Sequence, residues 1–418
     1  MSKRVLVIGG GVVGLSTAYY AARRGAEVMV VERGGADRDG CSFGNAGFVV
    51  PSHFVPLAAP GIVGQALRWM GNPASPFYVR PRWDWDLLQW GWKFYRAATA
   101  AHVARCAPLL RDLNFASRTC YEEWAAEAGD GFGLVKKGLL LLCQTPRAWE
   151  EEGKLAVRAC ELGVPAEVLD ARAAAQREPG VRMNIAGAVY FPKDCHLDPA
   201  RLMAWLQPTL ARSGVGFCWH TDVNGWRVDG RRLVAAVAGG REFAADEFVL
   251  CGGVWSAGLA RKLGLAMPMQ AGKGYSLTLP QPRHVPECCA ILTEARVAVT
   301  PLGPRLRFGG TMELAGLSLE INPVRVRGII HAVQRYYPDF SPADFADVPP
   351  WSGLRPCSPD GLPYLGRTAR YTNLTIAAGH AMMGLSLGPI SGKLVAALLA
   401  GEAPALDLAL LSPDRYAR

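Results

Sequence analysis

The chain has 418 residues, half of them hydrophobic and 19% charged, which at about 150 residues per domain corresponds to roughly two or three domains. This composition, with no low-complexity tract and no long block of like charge, excludes disordered, collagen-like and coiled-coil chains. The 45 Lys and Arg exceed the 36 Asp and Glu by 9, but basic residues alternate with acids and apolar residues throughout. That describes a mildly basic solvated surface and no nucleic-acid face.

The first element is RVLVIGGGVVGLSTAYYAARRGAEVMVVER, Arg4 to Arg33. Its uncharged run from Val5 to Ala22 imitates a signal peptide or a membrane span, and its glycines argue otherwise. A short β-branched strand, Val5 to Ile8, enters Gly9-x-Gly11-x-x-Gly14; a helix runs on to Arg24, and a second strand, Val28 to Val31, ends at Glu32. In such a βαβ unit Gly9 permits the tight turn, Gly11 lets a pyrophosphate approach the backbone, and Gly14 lets helix and strand pack closely. The helix N-terminus adds amide donors and the positive end of its dipole. Glu32 is placed to accept hydrogen bonds from a ribose 2′-hydroxyl and disfavours a 2′-phosphate. The unit binds a dinucleotide, either FAD or NAD.

Past residue 40 a loop, Cys41 to Gly47, follows where an NAD domain more often adds another βα repeat. Residues 51–82 are rich in Pro and Gly, and Trp83, Trp85, Trp90 and Trp92 then open two predicted helices, about 84–105 and 109–128. We assign these tryptophans to core or domain-interface packing in preference to a quinone or membrane contact. From Gly239 to Leu265 the pattern gives an alternating strand, an apolar strand ending at Leu250, a Cys251-Gly252-Gly253 turn and a helix. Strands are expected at Gly274 to Leu279 and Val297 to Gly310, a helix at Pro323 to Tyr337, and a final strand and helix around His380 to Gly384. The expected fold is α/β. A Rossmann-like cofactor domain, residues 1–50, 146–265 and 350–418, is interleaved with an α+β, mixed-sheet substrate domain, 51–145 and 266–349.

Eleven cysteines include no CxxC pair, so no zinc or iron–sulfur site, and no metal, is expected. Their odd number fits free thiols in a reducing compartment. We therefore expect a cytoplasmic protein without a transmembrane segment, with room for peripheral contact at the inner face of the cell membrane.

Seven segments together resemble a known family. The βαβ start with Glu32-Arg33, SFGNAG (Ser42 to Gly47), CGGVWS (Cys251 to Ser256), KGYS (Lys273 to Ser276), RFGGTMEL (Arg307 to Leu314), GLRPCSPDGLPYLGR (Gly353 to Arg367) and GHAMMGLSLGPISGKL (Gly379 to Leu394) resemble the FAD-dependent D-amino-acid oxidoreductases, above all the bacterial D-amino-acid dehydrogenases. The resemblance implies a fold like that of glycine oxidase and D-amino-acid oxidase, and non-covalent FAD. It places the pyrophosphate at Gly9, Gly11 and Gly14, the adenosine ribose at Glu32 and Arg33, and the adenine at Val223. Ser42, Asn45 and Ala46 would pass near the isoalloxazine, Gly252 and Trp255 would flank the cofactor, and His380, Met383, Gly384, Leu385 and Ser386 would meet its N1 and O2 edge. Arg355 would bind the substrate carboxylate bidentately, a geometry that lysine does not supply. Tyr275 would be a second carboxylate contact or a lid, with His53, Lys273, Thr311 and Glu313 as further candidates. Related sarcosine-type oxidases tether their flavin through a cysteine near the GLRP-like segment, and Cys357 lies close to that position but not at it.

The loop PSHFVPLAAPG, Pro51 to Gly61, and the C-terminal GHAMMGLSLGP depart from the best-known D-amino-acid dehydrogenases. They resemble a branch that oxidises cyclic D-imino acids such as cis-4-hydroxy-D-proline or D-proline, with electrons passing to a respiratory quinone or dye-type acceptor. The alternatives are a glycine- or sarcosine-type oxidase releasing peroxide and, from the glycine motif alone, an NAD-dependent dehydrogenase.

Overall fold

The computed structural model describes residues 2–70 and 75–417. Its first sheet has six strands in the order Tyr364–Arg367, Leu374–Ala378, Glu247–Leu250, Arg4–Ile8, Glu27–Val31 and Gly216–Cys218. All neighbours run parallel except the antiparallel Tyr364–Arg367 edge. These short apolar strands are covered on both faces, as parallel strands require. Ile8 lies level with both Val31 and Leu250, so three chain segments leave the sheet side by side and carry Gly9, Glu32 and Cys251 to one crevice. Ligands of doubly wound sheets bind at that end.

Helix Val12–Ala22 packs on the last helix, Gly388–Ala400, with almost no space between backbones. A Cβ at Gly392 would stand 2.3 Å from the carbonyl carbon of Ser16. Glycine there lets the two ends of the chain meet behind the crevice.

The second sheet has nine strands. Trp351–Cys357, Gln270–Leu279, Arg305–Leu314, Val297–Leu302, Cys289–Leu292, Leu139–Cys143, Gly187–Phe191 and Glu167–Asp170 lie in that order, and Phe77–Val79 pairs beside Arg305–Leu314. Helix Pro323–Tyr336 covers it through Ile329, Val333 and Tyr336, which share a core with Leu277, Val299 and Phe308.

Several boundaries differ from expectation. Residues 167–170 and 187–191, expected with the cofactor half, add two strands to the nine-stranded sheet, and Trp351–Cys357 forms its other edge. Pairing partners distant in sequence decide this, and local pattern does not carry them. The strand expected over Val297 to Gly310 is a hairpin turned at Gly303, whose φ is +64°. The helices expected at 84–105 and 109–128 are Trp85–Ala97 and Ala100–Ala128. The break falls earlier because the Thr99 side chain accepts from His102 N and caps the second helix, which then runs through Pro108. Among the described residues no helix is long and apolar enough to cross a membrane.

Candidate active site

A cavity of about 1520 Å³ runs from the crevice of the first sheet to the face of the second. Ordinary small-molecule sites occupy about 300–1,000 Å³, so this one has room for a dinucleotide and a small substrate together.

Its first end is the glycine turn. Gly9 has φ +110°, and a Cβ there would lie 2.5 Å from Cys251 O; a Cβ at Gly14 would lie 1.9 Å from Gly9 O. Gly11 is different: the sole heavy atom within reach of an added Cβ is Ser42 Oγ, at 3.3 Å, and Gly11 lines the cavity. Gly9 and Gly14 are thus demanded by packing, while Gly11 leaves the backbone bare where a phosphate would approach. Ser42 Oγ accepts from Val12 N (2.9 Å) at the start of the helix. Glu32 accepts from Gly10 N (2.7 Å) and Gly34 N (2.8 Å), which fix its carboxylate at the cavity wall. The Arg33 guanidinium lies 3.3 Å from the ring centroid of Trp255, and Val223 and Gly252 complete this wall. Arg38, which sequence reasoning missed, donates to Gly10 O and lies over the Trp219 ring at 4.8 Å. Its distance from the glycine motif hid it.

The Ser42–Gly47 segment then crosses the face of the second sheet and is held from below. Arg307 Nη1 donates to Phe43 O (3.1 Å) and Asn45 O (2.6 Å), and Thr300 Oγ1 donates to Ala46 O (2.6 Å). Burial lowers the Arg307 pKa to about 10. Arg307 is a second residue that the sequence pointed to only as part of RFGGTMEL. Trp351 lies flat against Gly44 and Gly353, where an added Cβ would fall 2.2 Å from its ring in each case. On the opposite wall stand His380, Met383, Gly384, Leu385 and Ser386. His380 is buried, its Nε2 shares a hydrogen bond with Ser391 Oγ (2.9 Å), and burial lowers its pKa to about 4. It is a neutral, satisfied histidine on the cavity wall. Ser386 Oγ accepts from Val50 N (3.1 Å) and donates to Asn114 Oδ1 (2.8 Å).

Arg355 occupies the edge strand of the second sheet and faces the same cavity. Nη1 donates to Thr311 O at 2.7 Å, and no carboxylate among the described residues pairs with it. Burial pulls its pKa down. A half-buried guanidinium without a counter-ion has donors left for an anion that enters the cavity. Two local features make room for it. Gly274 lies beneath, where a Cβ would sit 2.3 Å from both Nη1 and Nη2. A bulge in the pairing after Lys273 puts Thr311 at φ +61° opposite it, with its hydroxyl buried and unpartnered. Tyr275 lines the cavity with its ring, but its hydroxyl donates to Glu313, which also faces Lys273 Nζ at 3.6 Å. Burial raises the tyrosine pKa. Lys273 and Glu313 thus form a buried pair behind Tyr275.

His53 lines the far part of the cavity, and burial, with Arg296 nearby, lowers its pKa to about 4. Its Nδ1 lies 3.1 Å from Ser52 Oγ. Ser52 in turn donates its hydroxyl to Asp194, and its backbone N–H donates to Asp194 Oδ1 at 3.0 Å. Asp194 is fully buried, and burial raises its pKa to about 7. With Ser52 donating to Asp194, its oxygen accepts from His53 Nδ1–H and leaves Nε2 as the basic nitrogen. Sequence reasoning named His53 but missed Ser52 and Asp194, which lie 142 positions apart.

Cys357 is buried with its thiol directed at Arg355 O (3.5 Å), and burial pushes its pKa up to about 12, so it is no ready nucleophile. Among the described residues no group of three or more His, Cys, Asp or Glu is arranged to hold a metal ion. The tryptophan assignment divides. Trp90 is buried, stacks on Phe94 at 5.0 Å and donates from Nε1 to Cys357 O at 2.8 Å, whereas Trp83, Trp85 and Trp92 are exposed and pack into no core. Of these four tryptophans, Trp90 is the one on the inward face of the helix, beside Leu87 and Phe94.

The residues present fit FAD. A bare glycine turn, a carboxylate fixed beside it and a second wall with room for a flat ring system line one continuous cavity. The family model described as DAO, FAD dependent oxidoreductase, matches residues 4–398. The chain is 35% identical to a D-amino acid dehydrogenase of Granulibacter bethesdensis, over 99% of this chain and 100% of that one. It is 33% identical to a D-amino acid dehydrogenase of Bradyrhizobium diazoefficiens, over 99% of each. Among solved structures, glycine oxidase from Geobacillus kaustophilus superposes with a TM-score of 0.79 at 25% identity, covering 99% of both chains. Iminodiacetate oxidase from Chelativorans sp. BNC1 superposes at 0.73 with 24% identity, covering 98% of this chain and 99% of that one, and shares the fold. The NAD alternative is thereby set aside, and the chain belongs to the DAO family of FAD-dependent oxidoreductases.

Proposed function

We propose that this flavoenzyme is a dehydrogenase of D-amino or cyclic D-imino acids, with cis-4-hydroxy-D-proline or D-proline as its substrate and a quinone-type electron acceptor. The observation that carries this reading is Arg355, a half-buried guanidinium with no carboxylate partner among the described residues, held by Thr311 O and seated over Gly274 in the wall of the cofactor cavity. A substrate carboxylate completes its coordination. The curated relatives in Granulibacter and Bradyrhizobium, named as D-amino acid dehydrogenases, support the substrate class.

Bound non-covalently, FAD supplies a two-electron acceptor, N5, for the hydride on the substrate Cα. The protein's task is positioning. Arg355 fixes the carboxylate end, the Tyr275 ring forms part of the wall, and chirality follows from which Cα hydrogen then faces the flavin. The amine must be neutral so that its lone pair can form the imine as hydride leaves Cα, and we assign His53, Ser52 and Asp194 to the ammonium proton. Nε2 of His53 accepts it, Nδ1–H passes one to Ser52, and the serine hydroxyl proton moves to Asp194. The proton thus comes to rest on the group whose pKa is about 7, and no imidazolium is left beside Arg296. The products are a cyclic imine, or an imine that water hydrolyses to a 2-oxo acid and ammonia.

The glycine oxidase neighbour supplies the competing reading. Anaerobic titration of the purified holoenzyme with D-proline, cis-4-hydroxy-D-proline, D-alanine, glycine and the L-enantiomers separates them through the visible flavin bands, followed by a peroxide assay in air. Bleaching by the D-imino acids first, with little peroxide, is expected. Bleaching by glycine with stoichiometric peroxide contradicts the proposal.

A further inference from the structure

Hydride transfer needs only part of the cavity, which continues across the second sheet in an arm whose floor is set by strand register. Trp351, Ser276, Gly309, Ala298, Ile291 and Leu141 lie level on six successive strands, and each of them lines the cavity. Residues level on neighbouring strands share one face. Gly309 and Ala298 keep the middle of this row low, while Leu155 and Phe191 wall its far end, near His53.

Three more polar side chains meet in this arm. Ile291 and Ala298 belong to the two strands of a hairpin, whose turn closes with Arg296 N donating to Thr293 O at 3.4 Å. Thr293 and Arg296 both line the cavity, and Arg296 has φ +52°, a left-handed conformation that few side chains larger than glycine adopt without a local reason. Glu294, in the same turn, is engaged elsewhere: it accepts from Gln144 N (3.0 Å), Thr145 N (2.9 Å) and the Tyr336 hydroxyl. Facing the turn is Glu152 of helix Pro146–Glu161. Its neighbours Glu150 and Glu151 pair on the surface with Lys154 and Arg147, but Glu152 is half-buried on the inward face with Leu155 and the buried Ala156. Burial raises the Glu152 pKa and the charge of Arg296 opposes that rise. The two groups are thus close without forming an ion pair, and neither side chain makes another hydrogen bond among the described residues.

Register also puts this group beside the substrate anchor. Val297 lies opposite Gly310, so Arg296 follows one strand away from Thr311, whose carbonyl holds Arg355, and neighbouring strands are only about 4.8 Å apart. An arginine can only donate and a carboxylate accepts, so a hydroxyl between them satisfies both at once, accepting from one and donating to the other. An apolar group in the same place leaves both without a partner. We propose that Arg296 and Glu152, with Thr293 beside them, form a subsite for a hydroxyl on the substrate Cγ and so select hydroxylated D-imino and D-amino acids over the counterparts that lack it. A substrate with its carboxylate on Arg355 and its amine toward His53 extends its remaining carbons over Ala298 into this arm. The inference rests on the D-substrate reading above and names the hydroxylated member of the two proline substrates as the preferred one.

Two pairs of compounds that differ in this hydroxyl test the subsite: cis-4-hydroxy-D-proline against D-proline, and D-homoserine against D-norvaline. With the holoenzyme and a soluble dye, kcat/KM is expected to favour the hydroxylated member of each pair at least tenfold. Arg296→Asn keeps a residue that tolerates the left-handed backbone, and Glu152→Leu puts an apolar group beside Leu155, so both variants keep the fold. Each is expected to lower kcat/KM at least tenfold for the hydroxylated substrates and less than threefold for the others, at equal flavin content. A purely structural role would lower both members of a pair alike. Equal losses within each pair, an unchanged preference in both variants, or no preference in wild type overturns the proposal. If none of the four compounds reduces the flavin, the dehydrogenase reading fails, and the same pairs are compared as ligands through the perturbation of the flavin bands. At least tenfold tighter binding of the hydroxylated members, lost in Arg296→Asn, then still supports the subsite, whereas equal affinity within each pair, or no binding, overturns it as well.

Discussion

The two ends of the cavity are built on different principles. The glycine-turn end is local: Gly9, Gly11, Gly14 and Glu32 lie within 24 residues and one βαβ unit, and the strands level at Ile8, Val31 and Leu250 aim them at one crevice. The arginine end is assembled from distant segments. Arg355 depends on Thr311 O, on the gap at Gly274 and on the bulge between their strands, so that with its own strand three strands of the second sheet build this end. A local site holds its ligand as long as one turn keeps its shape, whereas a site made by strand register is lost when any one strand shifts.

Substitutions at the two ends should therefore fail differently. Gly14→Ala has the largest expected effect: its Cβ would fall 1.9 Å from Gly9 O, so the turn opens, the protein loses about 1–3 kcal/mol, and it purifies almost free of flavin, as absorbance will show. Arg355→Lys should purify yellow, with unchanged flavin content, and lose about 10²–10³ in kcat/KM, the scale of about 2–5 kcal/mol for breaking a buried charge pair. Steady-state kinetics with a soluble dye checks this. Gly274→Ala sharpens the comparison, because it pushes the guanidinium off its seat without removing it. Flavin content should hold, and KM should rise about tenfold with a smaller change in kcat.

Asp194→Asn has the smallest expected effect and a distinctive signature. Wild-type kcat/KM should rise with pH through about 7 as the carboxylate forms, and the variant should lose that limb and run about tenfold slower above it. Stability carries the opposite sign. Burial holds the folded pKa of Asp194 above the ordinary value of about 3.9, so the folded state loses stability as pH rises from there through about 7. Thermal melts of Asp194→Asn should therefore fall less than those of wild type between pH 5 and pH 8.

Motif and period made the cofactor end legible in the sequence. The glycine spacing, the acid closing the second strand and the apolar strand ending at Leu250 all appear where the structure has them. Arg355 was singled out through a resemblance to a family pattern, but the surroundings that seat it in the cavity wall were not legible. Nothing local in KGYS says that its glycine is the floor beneath an arginine 81 residues away, or that Thr311 takes a positive φ to hold it. Ser52 and Asp194 escaped for the same reason, since their hydrogen bonds join a loop to a strand turn across 142 positions. The tryptophans misled through composition alone: helical spacing separates Trp90 from Trp85 and Trp92, but it does not say which face the protein covers.

The central claim, that Arg355 receives the substrate carboxylate within reach of the flavin, is tested most directly by a carboxylate that has no hydride to give. Pyrrole-2-carboxylate is flat and proline-sized, and its binding to the holoenzyme perturbs the flavin bands. Wild type should show a saturable perturbation, with binding weakened about 10²-fold or more in Arg355→Lys at equal flavin content. Equal affinity in the two proteins would contradict the assignment and move the substrate elsewhere in the cavity.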